Sequence, residues 1–281
     1  MNLRLFFQEH LPHHLLSRAI GRLADCRIVW LKNLFIRCFV YFYKIDLVLA
    51  VEPDIAKYPS FNSFFTRAIK SELRPIADSD VVSPVDGKIS QIGKITKGQL
   101  IQAKGREYGL EQLLAGQFVE HYSVWRDGNF TTLYLSPRDY HRVHMPCDGK
   151  LLAACYVPGH LFSVSDFAAE HVADLYARNE RLVLLFETKF GPAVVVLVGA
   201  MLVASIVTSW DGIITPNRDK KIRNWDYRDS NIEFKKGDEL GRFQFGSTVI
   251  MLFPERRIEW SRGFSVGDVV RFGERLGEDC L

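Results

Sequence analysis

At 281 residues, 47% of them hydrophobic and 25% charged, the chain is long enough to bury a large core and too rich in aromatic and aliphatic side chains to be disordered. A formal net charge of +3 is too small to suggest a nucleic-acid partner, and none is expected. Five scattered cysteines (Cys26, Cys38, Cys147, Cys155 and Cys280) form no CxxC pair and no Cys/His ligand spacing, so reduced thiols in a reducing compartment are expected and no metal site is.

The chain starts Met-Asn-Leu-Arg-Leu-Phe-Phe, without the small-residue cleavage site of a signal peptide. Residues 1–50 hold seven Lys/Arg against three acids, beside the most apolar stretch of the chain, residues 28–43. Arg27, Lys32, Arg37 and Lys44 break every window of the roughly 20 apolar residues that a membrane span needs. Read as a helix, the segment carries Arg18, Arg22, Asp25, Asn33, Arg37 and Lys44 near one stripe. Trp30, Leu31, Leu34, Phe35, Phe39 and Phe42 lie opposite. That pattern suits a helix lying on an anionic lipid surface, and equally one packed on its own domain or on a second copy in a homodimer.

A helical piece follows within residues 53–80, with Asn62 as its expected cap and Leu73-Arg74-Pro75 ending it. From Val81 the texture changes to short β-branched and aromatic runs with Gly and Pro between them. Strands are expected at 88–95, 130–135, 151–157, 181–187, 193–198, 201–208 and 248–253, short helices at 110–116 and 164–170, and a hairpin turn at Gly191-Pro192. The expected fold class is α+β, a helical N-terminal region followed by a mainly antiparallel β domain. Residues 262–281 contain no legible motif.

Three constellations can carry chemistry. Ser136 to Pro146 holds His141 and His144, which converge only if the backbone turns between them. Ser83-Pro84-Val85-Asp86-Gly87 is first of all a turn. Phe245-Gly246-Ser247-Thr248 places a Gly–Ser bond before an apolar strand and lacks the second glycine of a GxSxG elbow. Asp86, a histidine and Ser247 are the residue types of an acid–base–nucleophile set, but composition alone leaves a lipid-ester hydrolase and a non-catalytic membrane module equally open.

Taken together and in this order, the segments Phe61–Arg67, Arg74–Ile76, Ser83–Gly87, Tyr134–Pro146, Val157–Val164, Arg178–Arg181, Gly199-Ala200 and Gly241–Thr248 resemble the bacterial and mitochondrial-type phosphatidylserine decarboxylases. Phe245 departs from the leucine that commonly opens the family's cleavage motif, an apolar exchange expected to alter cleavage rate at most. The resemblance implies a proenzyme that cuts itself between Gly246 and Ser247 into chains 1–246 and 247–281. Ser247 is left as a covalent pyruvoyl cofactor, which forms a Schiff base with phosphatidylserine and releases carbon dioxide to give phosphatidylethanolamine. It implies His144 as the base for cleavage with Asp86 orienting it, and His141 as proton donor or substrate-placing group. It also implies a membrane-associating region (1–50), a catalytic domain (51–281) and a peripheral location on the cytoplasmic face of the inner membrane. Arg138, Arg142 and Lys104 are candidate contacts for the lipid phosphate or acyl chains.

Overall fold

The N-terminal region folds as two helices, α1 (His13–Ala24) and α2 (Val29–Tyr43), broken at residues 25–28. The computed structural model describes residues 13–201, 205–215, 220–244 and 247–280, without the side chains of 13–16, 18 and 19, so that of Arg18 lies outside the described residues. Helix α2 ends at Lys44, whose left-handed backbone (φ 52°) lets its N–H cap the carbonyl of Val40. The expected separation of basic and apolar faces does not hold. Arg37 is exposed alongside Trp30, Leu34, Phe35 and Phe42, while Lys32 is buried. Lys32 is tolerated inside because its ammonium donates to the carbonyl of Ala56 (3.1 Å) and to Asn33 (2.5 Å). Phe39 faces inward and meets the rings of Phe61 and Phe65 at 5.0 and 5.8 Å. Among the described residues no helix is long and apolar enough to cross a membrane.

The helix expected within 53–80 is only α3 (Phe61–Phe65). Its cap is Ser60, whose hydroxyl accepts from the N–H of Ser63 (3.2 Å), and not Asn62. Asn62 lies inside the helix and ties it to the N-terminal region, donating to Asp25 at 2.6 Å. Ile36, Tyr58, Phe61, Phe64 and Phe65 form one apolar cluster spanning α2 and α3.

Beyond this cluster the fold is built on β1 (Gly87–Lys94), β2 (Asn129–Leu135), β3 (Arg142–His144), β4 (Gly149–Val157), β5 (Arg181–Thr188), β6 (Gly191–Val198), β7 (Ser205–Thr208), β8 (Glu239–Gln244), β9 (Ser247–Phe253), β10 (Val269–Val270) and β11 (Arg275–Asp279). A large antiparallel sheet runs in the order 223–226, β4, β5, β6, β9, β2, β1, β10. A second sheet runs 212–213, β7, β8, β3, and a third pairs β11 with 81–82 and 258–260. The structure is thus mostly antiparallel sheet with a few helices, α+β as expected. Residues 202–204, in the expected strand 201–208, lie outside the described residues.

The expected turn shifts by two residues. Gly191 and Pro192 already belong to β6, and the chain reverses at Lys189-Phe190. Gly191 closes that turn with φ 93°, a conformation that a Cβ disfavours, and the Thr188 hydroxyl donates to its carbonyl (2.7 Å). β9 reads as a continuous apolar run because both sheet faces are covered. Val249 and Met251 pack with Val143, Ile206 and Phe243 on the side of the second sheet. Ile250 and Leu252 pack on the other, in one cluster with Leu110, Leu113, Trp125, Ala168 and Leu175 from the short helices α4 (Leu110–Leu113), α5 (Tyr122–Trp125), α6 (Asp166–His171) and α7 (Leu175–Arg178).

Candidate active site

Ser247 is the first residue of β9, paired with Leu135 of β2 and fully buried. Strand alternation puts it on the face of Val249, toward the core shared with β3 and β8. Its hydroxyl has no hydrogen-bond partner among the described residues. A buried orphan hydroxyl costs about 1–3 kcal/mol, which a fold has reason to tolerate at a reacting atom. Gly246 and Phe245 lie outside the described residues.

β3 begins between the two histidines, and both are buried, each against the ring of a different phenylalanine. His141 is fully buried against Phe65 (centroids 4.1 Å), and its carbonyl accepts from the N–H of Phe243 (3.0 Å). Its Nδ1–H donates to the carbonyl of Asp139 (2.8 Å), which leaves a lone pair on Nε2, an atom without a partner among the described residues. His144 donates Nδ1–H to the carbonyl of Gly237 (2.8 Å) and accepts at Nε2 from the Tyr140 hydroxyl (3.0 Å). Its ring stacks on Phe272 at 3.7 Å and 19°. Burial pulls His144 down to about 4 and His141 to about 3, so both rings are neutral near pH 7. Burial also raises the Tyr140 phenol, which keeps its proton for His144.

This arrangement makes stability pH-dependent. Unfolding exposes both rings to their ordinary value of about 6.5, so the unfolded chain takes up protons that the folded one refuses. The stabilisation is complete above pH 6.5 and declines as pH falls to about 4 for His144 and about 3 for His141. Melting temperature should therefore drop over that range, and His144→Gln should flatten the slope. An unchanged slope would show that the ring is not held neutral.

Asp86 follows the turn at Ser83–Val85 and precedes Gly87, where any Cβ would stand 2.6 Å from the carbonyl oxygen of Tyr134. Its carboxylate does not bond to His144. It accepts from Arg74 Nε and Nη2 (3.0 and 2.6 Å) and from the backbone N–H of Phe272 (2.8 Å). Arg74 captures both oxygens in a forked pair, with side chains 8% and 15% exposed. Asp86 thus reaches His144 through Phe272, which it anchors and whose ring covers the imidazole. No hydrogen bond joins Ser247 to either histidine among the described residues. Sequence reasoning missed Phe272, Tyr140 and Arg74 as members of this site. Tyr140 and Arg74 lay inside segments already singled out, whereas Phe272 carries no local signal.

Of the candidate lipid contacts, Arg138 is largely exposed and Lys104 pairs with Glu170 at the surface (2.8 Å). Arg142 donates to Thr66 and Glu239 (2.9 and 2.8 Å) and lines a cavity.

A buried, unpartnered serine hydroxyl and two buried, neutral histidines in one chain are the residue types of a serine-centred enzyme. The family model for phosphatidylserine decarboxylase matches residues 61–278, and a second, described as PSD, matches residues 3–44. The chain is 49% identical to the phosphatidylserine decarboxylase proenzyme of Ectopseudomonas mendocina over 100% of both chains. It is 48% identical to that of Azotobacter vinelandii (98% of each chain) and 47% to that of Idiomarina loihiensis (98% of this chain, 96% of the relative). The chain belongs to the phosphatidylserine decarboxylase family, a family of carboxy-lyases.

Proposed function

We propose that this chain is a phosphatidylserine decarboxylase proenzyme that cuts itself between Gly246 and Ser247 and then converts phosphatidylserine to phosphatidylethanolamine. The observation that carries the reading is the buried Ser247 hydroxyl, unpartnered at the head of a central strand, in a chain of this family.

In the first reaction the Ser247 hydroxyl attacks the carbonyl of Gly246. The C–N bond breaks and an ester forms, with a histidine taking the hydroxyl proton. His144 is the proposed base: Gly237 fixes its tautomer, the Nε2 lone pair takes the proton once the Tyr140 hydroxyl turns its hydrogen away, and Asp86 is its positioning residue through Phe272. Loss of the Ser247 α-proton then expels the Gly246 carboxylate and leaves a dehydroalanine. Water replaces its nitrogen as ammonia, and a ketone remains. The new small chain, 247–281, keeps its place because β9 lies between β6 and β2, while β10 and β11 pair with strands of the large chain.

A pyruvoyl group derived from Ser247 supplies the electron sink that loss of carbon dioxide requires. His141, buried with an unpartnered Nε2, is the proposed proton carrier to the substrate carbon or the group that places the substrate carboxylate. Intact-mass measurement tests the reading: two fragments are expected, the smaller blocked at its N-terminus and lighter than encoded by one ammonia. A single uncut chain that still decarboxylates the lipid would sink it.

Residues 1–50 are the proposed membrane-associating region and 51–281 the catalytic domain. Supporting this, α2 exposes Trp30 (69%), Leu34, Phe35, Tyr41 and Phe42 (75%) with Arg27, Arg37 and Lys44 around them, a surface suited to the headgroup boundary of an anionic leaflet. Peripheral attachment to the cytoplasmic face of the inner membrane fits the free cysteines. Trp30→Ser with Phe42→Ser should weaken sedimentation with phosphatidylserine vesicles at least tenfold, since burying each aromatic contributes about 2 kcal/mol. Unchanged vesicle binding would refute it. A homodimer across the same face would instead show as self-association, lost in the same variant, without vesicles.

A further inference from the structure

Between α3 and the second sheet lies a cavity of about 360 Å³ whose lining includes Glu52, Tyr58, Ser63, Arg67, Arg142 and Arg242. Three guanidiniums therefore meet at one hollow. Arg142 and Arg242 share a single carboxylate, Glu239, at 2.8 and 2.7 Å. Arg67 has none. It is only 6% exposed, and its Nε and Nη1 are buried without a hydrogen-bond partner among the described residues. Its carbon end lies over the ring of Phe64 at 5.2 Å, a contact that positions the group without satisfying its donors. Asp86 and Asp139 attract it from a distance, and neither forms an ion pair with it. A buried cation with unfilled donors is costly, so a fold that keeps one has a use for it. Three arginines stand against two carboxylates, Glu239 and Glu52, and Glu52 is already paired with Lys57 (3.0 Å), so the excess of positive charge at the cavity calls for an anion.

The position of the cavity says which anion. Arg67 follows Phe65, whose ring packs on His141, and Arg142 is the next residue after His141. Arg242 stands on β8, just before the segment that leads to Ser247. The lining also includes exposed Val51, in the segment that follows helix α2 in the chain. The hollow is thus built from the chain neighbours of His141 and of the segment before Ser247, together with the segment that follows the N-terminal helices. In phosphatidylserine the phosphodiester lies between the serine amine and the acyl chains, only a few bonds from the reacting carbon. We infer that Arg67, Arg142 and Arg242 form the binding site for the lipid's phosphodiester, with Arg67 supplying donors that no described residue uses. This rests on the decarboxylase reading above and names where that substrate is held.

The test uses the full-length, self-cleaved protein and its Arg67→Met and Arg67→Lys variants, with a short-chain, water-soluble phosphatidylserine as substrate. Removing an unpaired buried cation should leave the melting temperature at or above that of the wild type, and cleavage at Ser247 should go to completion. KM should rise roughly 10- to 100-fold in Arg67→Met, the loss expected for one charged hydrogen-bonding partner. Arg67→Lys, which keeps the charge and loses the fork, should fall between. Glycerophosphoglycerol, a phosphodiester without an amine, should compete in the wild type and lose potency in Arg67→Met, with inorganic phosphate weaker. An unchanged KM in a cleaved variant overturns the inference, as does a clear drop in melting temperature, which would make the guanidinium a structural group. Inorganic phosphate competing as well as the phosphodiester overturns the lipid assignment in favour of a free-phosphate site. A wild-type chain that is never cut sinks the decarboxylase reading itself, a result distinct from any of these.

Discussion

Ser247→Ala should be isolated as one uncut chain of 32.2 kDa that releases no carbon dioxide from phosphatidylserine. On the proposed mechanism the loss should be complete, because the same hydroxyl would be the attacking atom of cleavage and the origin of the ketone. Neither Tyr140 nor the histidines can substitute for it, since an N-to-O shift needs the oxygen on the residue that follows the broken bond. The fold should survive. The hydroxyl has no partner to lose, and replacing an unsatisfied buried group by a methyl is neutral or stabilising by about 1 kcal/mol. The variant should therefore match or exceed the proenzyme's melting temperature, and its ladder from position 247 opposite Leu135 to Phe253 opposite Asn129 should be unchanged. Equal stability with no cleavage separates a chemical role from a structural one. A Ser247→Ala chain that still appears as two fragments would place the nucleophile elsewhere.

What could be read from the sequence follows from how locally each feature is encoded. β5, β6 and β9 were legible because both their faces are buried, which forces unbroken runs such as Val194–Val198 and Val249–Phe253. β3 and β10 were not: Arg142-Val143-His144 and Val269-Val270 are too short for any periodicity, and their pairing is decided by partners far along the chain. The N-terminal helices were found, but their inward face was misassigned. Lys32 is buried through the carbonyl of Ala56, a contact no helical wheel contains. The same limit holds at the site. Ser247 and the two histidines are marked by their motifs, whereas Phe272 joins them through one backbone N–H, bonded to a carboxylate 186 positions away. The direct Asp86–His144 contact expected from the triad pattern gives way to this longer route because Arg74 occupies the carboxylate.

That route predicts that stability and processing can be separated at Asp86. Breaking the Arg74–Asp86 pair from either side should cost about 3 kcal/mol, since each single change leaves the other charge largely buried and unmatched. Arg74→Met and Asp86→Leu should each lower the denaturation midpoint and slow cleavage. The double variant Arg74→Met with Asp86→Leu removes both charges and should recover most of the lost stability, a coupling that urea titration in a double-mutant cycle reads directly. It should not recover cleavage. Leucine offers no acceptor to the N–H of Phe272, so the ring that lies 3.7 Å from His144 loses its anchor. Phe272→Ala should slow cleavage in the same way while leaving the Arg74–Asp86 pair intact. If the double variant cleaves at the wild-type rate, Asp86 serves only to neutralise Arg74, and the histidine is aligned by Gly237 and Tyr140 alone. If both it and Phe272→Ala stay slow at restored or near-normal stability, the carboxylate acts on the imidazole through the C-terminal segment. One ion pair would then hold the large chain, the small chain and the base of the reaction in register.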